Sequence, residues 1–138
     1  MNKTQIIELM RANPVFHLAT VEGNKPHVRG MLLYKAGQDG ILFHTGTMKD
    51  LHKQLSVNPE VELCFFSHKD NTQVRISGKV ELVEDLELKK EIVANRDFLK
   101  PWVEKSGYDI LAVYRMKKGT VVIWTMETNF EPKKYIEF

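Results

Sequence analysis

The chain has 138 residues, 43% hydrophobic and 28% charged, with a formal net charge of +2. That length and balance suit one domain, residues 1–138, with a real core, and argue against disorder. The small charge and the lack of a dense Lys/Arg stripe point away from nucleic acid. One cysteine excludes an internal disulfide. With no signal peptide and no apolar run able to span a bilayer, a cytoplasmic protein that does not enter membranes is expected.

Thr4 to Arg11 places Ile6, Ile7 and Met10 on one helical face, and Asn13-Pro14 ends the helix. Val15 to Val21 reads as a buried strand. The turn Glu22 to Pro26 leads into a strand from His27 to Tyr34. A turn at Gly37 to Gly40 precedes the strand Ile41 to Thr45. Met48 to Val57 reads as a helix stopped by Asn58-Pro59. Two strands follow, Val61 to Ser67 and Thr72 to Leu82, around the polar turn Lys69-Asp70-Asn71. Cys64 lies in the first of these and reads as a buried structural thiol. Glu84 to Asn95 reads as a charged helix touching the core through Leu86 and Leu88. Phe98 to Ser106 is ambiguous, because Pro101 fits a helix only near its start. The strands Ile110 to Met116 and Thr120 to Met126 flank a Lys117-Lys118-Gly119 turn. Seven strands at short spacing with peripheral helices predict a mainly β fold, a closed barrel.

Three segments carry chemistry. In Pro26 to Tyr34, Arg29 lies inside a strand that is otherwise apolar, where a guanidinium needs a fixed partner, and Gly30 admits a ligand close to the backbone. The alternative is an Arg29 on the exposed face. In Leu42 to Leu51, a strand runs through Thr45, Gly46, Thr47, Met48 and Lys49 into a helix start. Free N–H groups, hydroxyls and an ammonium there suit a phosphate. Plain capping by Thr47, with Asp50 in the first turn and Lys49 solvated, competes evenly. In Asn71 to Leu82, Gln73 and Arg75 share one face of a half-buried strand. They either meet the edge of a heterocycle or face water.

In this order and spacing, the three segments resemble the pyridoxamine 5′-phosphate oxidase-like family of FMN-binding split β-barrels. Phe16 to Val21 with Pro26 to Arg29 is similar to that family's first hairpin. Phe43 to Lys49 is similar to its phosphate corner, Gln73 to Glu81 to its Gln-Val…Gly-Lys strand, and Val122-Ile123-Trp124 to its flavin-side Trp strand. The resemblance implies FMN as cofactor at a homodimer interface. Arg29, Gly30, Met31 and Leu32 would line the flavin. His44 and Thr45 would border the phosphate arm, and Thr47, Met48 and Lys49 complete the corner, with Lys49 on the phosphate. Gln73 and Trp124 would reach in from the second subunit.

It also implies departures from the oxidases themselves. Met48 stands where the oxidase has an Arg before its phosphate Lys, and Tyr34 stands where it has a substrate Lys. Glu91 and Asn95 replace a Tyr and an Arg, and Phe130 and Pro132 replace an Arg and a His. Vitamin B6 oxidation is therefore not expected. The resemblance implies an FMN-dependent oxidoreductase acting on a small molecule, nitroreductase-like activity included, with a reduced nicotinamide as candidate electron donor. No catalytic residue stands out. The rivals are a flavin-binding or electron-carrier module without a dedicated substrate, and a relative holding haem or a deazaflavin. Phosphate-seeking residues at the corner favour FMN. Of the five histidines, His27 and His44 are candidates to face the flavin. No spacing suggests a metal site.

Overall fold

The computed structural model describes residues 1–138. Helix α1 (Lys3–Ala12) opens with a reciprocal capping box between Asn2 and Gln5, and buries Ile6, Ile7, Leu9 and Met10. Strands β1 (Val15–Glu22) and β2 (Lys25–Leu32) form a hairpin. Strands β3 (Lys35–Gly37) and β4 (Gly40–Gly46) form a second one and lead into α2 (Asp50–Val57). Then come β5 (Glu60–Ser67), β6 (Thr72–Lys79), the short β7 (Glu81–Leu82) and α3 (Leu86–Asn95). After α4 (Lys100–Ser106), β8 (Leu111–Met116), β9 (Thr120–Thr125) and β10 (Tyr135–Glu137) close the chain. None of the helices is long and apolar enough to cross a membrane.

The strands form two antiparallel sheets rather than one closed barrel. One has the order β10-β9-β6-β5-β1-β2, the other β3-β4-β8-β7. This corrects the closed barrel expected from strand count, and the reason lies at Val80. The strand expected over Thr72 to Leu82 is broken there. Residues up to Lys79 pair in the six-stranded sheet, while Glu81 and Leu82 pair with Arg115 and Tyr114 in the other. Val80 is buried at the corner and its N–H bonds Pro59 O at 3.0 Å. Gly78 lets the turn before β9 approach closely, since a Cβ there would lie 2.7 Å from the Lys118 carbonyl oxygen. The mainly β split architecture stands, with β3, β7 and β10 added to the seven expected strands.

Between the sheets lies the main core. Phe16 of β1 stacks on Phe65 of β5 at 4.7 Å and meets Phe43 of β4 edge-on at 6.0 Å. The four-stranded sheet is covered on both faces. On its outer side Leu42, Leu111 and Val113 pack under Ile92 and Val93 of α3, which explains its nearly continuous apolar strands. Leu86, expected to anchor α3, is exposed and Leu88 only half-buried, because the helix touches the sheet through its last turns.

The six-stranded sheet has one face in the core and the other open. Its strands alternate accordingly, and Cys64 falls on the open face. It is half-buried, with its thiol donating to Gln73 Oε1 at 3.2 Å, rather than fully buried as expected. Removing a ring from the central stack should be severe. Phe16→Ala is expected to cost about 3–5 kcal/mol in urea unfolding, whereas Phe130→Ala, at a ring 99% exposed, should stay within about 0.5 kcal/mol.

Candidate functional site

The site grows from β2, the edge strand of the six-stranded sheet. Pairing of Leu18 with Arg29 and Thr20 with His27 turns Arg29 toward the core side, where no further strand covers it. Helix α2 fills that flank. The Arg29 Nη1 donates to Thr20 Oγ1 at 2.8 Å and to Leu18 O at 3.3 Å, and Nη2 donates to Gln54 Oε1 at 2.7 Å. Thr20, itself buried, donates to the same Gln54 oxygen at 2.6 Å. Every one of these acceptors is neutral, and Arg29 is in none of the chain's ion pairs. Burial holds its pKa below the ordinary arginine value, and the charge of Asp50 works against that. The guanidinium is thus held in place by neutral acceptors, with Asp50 the nearby negative charge and no direct ion pair.

Lys49 stands beside it as the N-cap residue of α2, in extended conformation and with no side-chain cap. The helix begins two residues later than expected, and Thr47 is not its cap. The Thr47 N–H donates to Ile110 O at 2.9 Å. The first N–H groups of α2 therefore have no capping side chain, the condition under which a helix start attracts an anion. Asp50 does occupy the first turn.

Two adjoining grooves meet here. The first, of about 600 Å³, is lined by His27, Arg29, Gly30, Met31, Thr45 and Lys49 among others. The second, of about 530 Å³, shares Gly30, Met31, Thr45 and Lys49. It adds Leu32, His44 and Met48 and continues to Arg96, Phe98 and Trp102. The donor set around the junction fits a phosphate: Lys49 and Thr45, shared by both grooves, Arg29 of the first, and an uncapped helix start, neither cation being in an ion pair. The apolar walls of Met31, Leu32 and Met48 fit a flat ring.

Of the residues singled out in the sequence, Thr47, Gln73 and Trp124 lie outside both grooves. Gln73 and Trp124 are directly paired across β6 and β9, on the open face of the six-stranded sheet. Arg75 shares that face, as its spacing required. His17 and His68 are exposed, and His52 Nδ1 is 2.6 Å from Tyr114 Oη. Sequence reasoning missed Thr20, Gln54, Arg96, Phe98 and Trp102. Two exposed aromatics in the charged, proline-containing segment after α3 were the available signal for the last three.

His44 is the most perturbed group of the grooves. Its Nε2 is buried without a partner, and its ring meets Tyr34 edge-on at 6.5 Å. Burial, then the charges of Arg96 and Lys49, push its pKa down to about 4.

Residues 3–126 match the family model described as pyridoxamine 5′-phosphate oxidase. The chain is 39% identical over 61 residues to the pyridoxine/pyridoxamine 5′-phosphate oxidase of Psychrobacter cryohalolentis, covering 44% of this chain and 28% of that protein. It spans about half the length, or less, of the curated oxidases it matches. A NimC/NimA family protein from Clostridium acetobutylicum superposes with a TM-score of 0.79 at 24% identity, covering 98% of this chain and 92% of that one. A pyridoxamine 5′-phosphate oxidase-related, FMN binding protein from Nostoc punctiforme gives 0.66 at 16% identity, covering 99% and 95%. At these identities the two structures show a shared fold.

The His44 environment makes stability depend on pH. An unfolded chain protonates this imidazole near 6.5, the folded protein only near 4. Between those values the unfolded state binds more protons, so stability falls as the pH drops through the window, by up to about 3 kcal/mol. Urea unfolding at pH 7 and pH 4.5 should show the loss, and His44→Leu should reduce it. An unchanged slope in the variant would assign the loss to other groups.

Proposed function

Because the chain belongs to the pyridoxamine 5′-phosphate oxidase family, we propose that it binds FMN along these grooves and works in the cytoplasm as an FMN-dependent oxidoreductase on a small molecule. The observation that carries this reading is the pair Arg29 and Lys49, neither in an ion pair, beside the uncapped start of α2. Arg29, Thr45 and Lys49 would hold the phosphate. Gly30, Met31 and Leu32 would lie along the ring, with Gly30 leaving room beside the strand. FMN, when bound, supplies the redox chemistry, and the protein supplies binding, orientation and electrostatics.

The residues at the oxidase's substrate positions support a substrate other than a B6 phosphate. Tyr34 donates to Glu91 Oε2 at 2.5 Å and accepts from Asn95 at 3.2 Å. These side chains satisfy one another and add a carboxylate where a phosphate would be repelled. Burial, then the hydrogen bond to Glu91, raises the Tyr34 pKa and keeps its proton in place. A small acceptor reduced at the expense of a nicotinamide, nitro compounds among the candidates, remains compatible with the apolar second groove. A carrier module without a substrate would have no use for that groove.

The functional unit in this reading is a homodimer. The open face of the six-stranded sheet carries exposed Val15, Val28, Leu32 and Tyr135. Apolar side chains gathered on one sheet face suit a second copy. That face also carries Gln73 and Trp124, so a two-fold partner would bring its own pair toward the edge strand β2 and cover a ring that one chain leaves open. Sedimentation should show a dimer; a monomer that still binds FMN tightly would refute this assembly.

FMN binding itself is read by quenching of flavin fluorescence and by thermal shift. A hundredfold excess over the dissociation constant should stabilise the protein by about 2.7 kcal/mol. The phosphate end is tested by Lys49→Met. A charge-assisted hydrogen bond of about 1.5–3 kcal/mol predicts an FMN affinity about 10- to 150-fold lower, with riboflavin affinity unchanged. Equal losses for both flavins would mean a general defect. No loss for FMN would place the phosphate elsewhere.

A further inference from the structure

The second groove extends beyond the residues that FMN binding needs, and its far end has a chemistry of its own. Arg96 caps the C-terminus of α3. Its Nη2 donates to Leu33 O at 2.8 Å, and its guanidinium lies 5.2 Å from the centre of the Tyr34 ring. These contacts fix the group in place. Its Nη1 is buried with no partner, and Arg96 enters no ion pair. A buried donor of this kind is costly to leave unmade. No Asp or Glu lines the groove, while Phe98, Leu99 and Trp102 supply apolar wall around the same end. Phe98 and Trp102 are each 58% exposed, an unusual state for two large aromatics on consecutive turns.

Position along the strand separates this end from the phosphate end. Leu33, which holds Arg96, is four residues beyond Arg29, and extended chain covers about 13 Å in four steps. The two guanidinium groups are also held by different elements, Arg29 by Thr20 and Gln54 and Arg96 by Leu33. Arg29 lines only the first groove and Arg96 only the second, with Gly30, Met31 and Lys49 common to both.

We propose that Arg96 is the anchor for the carboxylate of a flat, aromatic small-molecule substrate whose ring rests against Phe98 and Trp102. This inference rests on the FMN reading only in calling the ligand a substrate; the binding site itself is built from Arg96 and its neighbours. Arg96 has the planar fork that takes a carboxylate through two N–H donors, and the aromatic wall takes the ring. Selection then works by charge. An acid gains the guanidinium, whereas a neutral compound of the same shape leaves it unpaired.

The test is calorimetric titration of the FMN-loaded protein with 4-nitrobenzoate and with 4-nitrobenzyl alcohol, which share a ring and differ in charge. The acid should bind about 10-fold or more tightly than the alcohol. Arg96→Gln should weaken the acid by about 10- to 150-fold and leave the alcohol and FMN unchanged, and Arg96→Lys should retain part of the preference. Equal affinity of the two compounds for the wild type would overturn the proposal without any variant, so a misfolded Arg96→Gln, seen in its melting curve, does not protect it. Loss of FMN affinity with the acid preference intact would also overturn it, since Arg96 would then be a flavin ligand. If the protein takes up no FMN, the flavin reading fails separately. The same two calorimetric titrations on the flavin-free protein then decide the Arg96 site: acid preference supports it and equal binding overturns it.

Discussion

A guanidinium held by neutral acceptors organises this molecule's functional side. Arg29 sits on an edge strand with no further strand to cover it, so its hydrogen bonds must come from elsewhere. They come from Thr20 on the neighbouring strand and Gln54 on α2. The same three side chains thereby tie the first hairpin to the helix that follows β4. That tie sets the corner in which Thr45 and Lys49 face the same space as Gly30 and Met31. Partial burial lowers the pKa of Arg29, and the nearby charge of Asp50 opposes that shift without forming an ion pair. A phosphate placed there would complete an arrangement that the chain by itself leaves electrically open.

Covering is uneven between the two sheets, and the difference explains much of the surface. The four-stranded sheet is sealed by the main core on one side and by α3 on the other. The six-stranded sheet has helix α1 and the opposite sheet on one side only. Its open face is neither strongly polar nor flat: Cys64, Phe66, Val122 and Trp124 are half-buried among charged and apolar neighbours. Such a face is incompletely solvated as a surface and incompletely packed as a core. The grooves lie where β2, the edge of that sheet, meets α2 and the segment between α3 and α4. Any molecule bound there touches elements from both halves of the chain.

Much of this was legible in the residues. Strand and helix periods are local properties, so Phe16, Leu18, Leu63 and Phe65 announced their inward faces, and Asn13-Pro14 and Asn58-Pro59 announced their helix ends. The strand-to-helix corner from Thr45 to Lys49 was equally readable, because a helix start and its nearby cation are contiguous. Its cap was not. Thr47 is a better capping residue than Lys49 by type, but the helix starts at Asp50, and the Thr47 backbone is tied to Ile110, a residue far along the chain. The split at Val80 was hidden for a similar reason. Residues 72–82 form a continuous strand pattern, and only the presence of β8 across the corner draws the last two into another sheet.

The sequence by itself determined the mainly β character, the order of most elements, the family resemblance and the strand-to-helix corner from Thr45 to Lys49, since each depends on spacing within a short stretch. Only the tertiary structure decided that Arg29 would be satisfied by Gln54, 25 residues away, and Thr20 by the same amide, 34 residues away. Only it set Arg96 at the groove, through a hydrogen bond to Leu33 spanning 63 residues. The physical reason is that a polar side chain pairs with whatever packing brings within about 3 Å. No local periodicity encodes which distant element that will be.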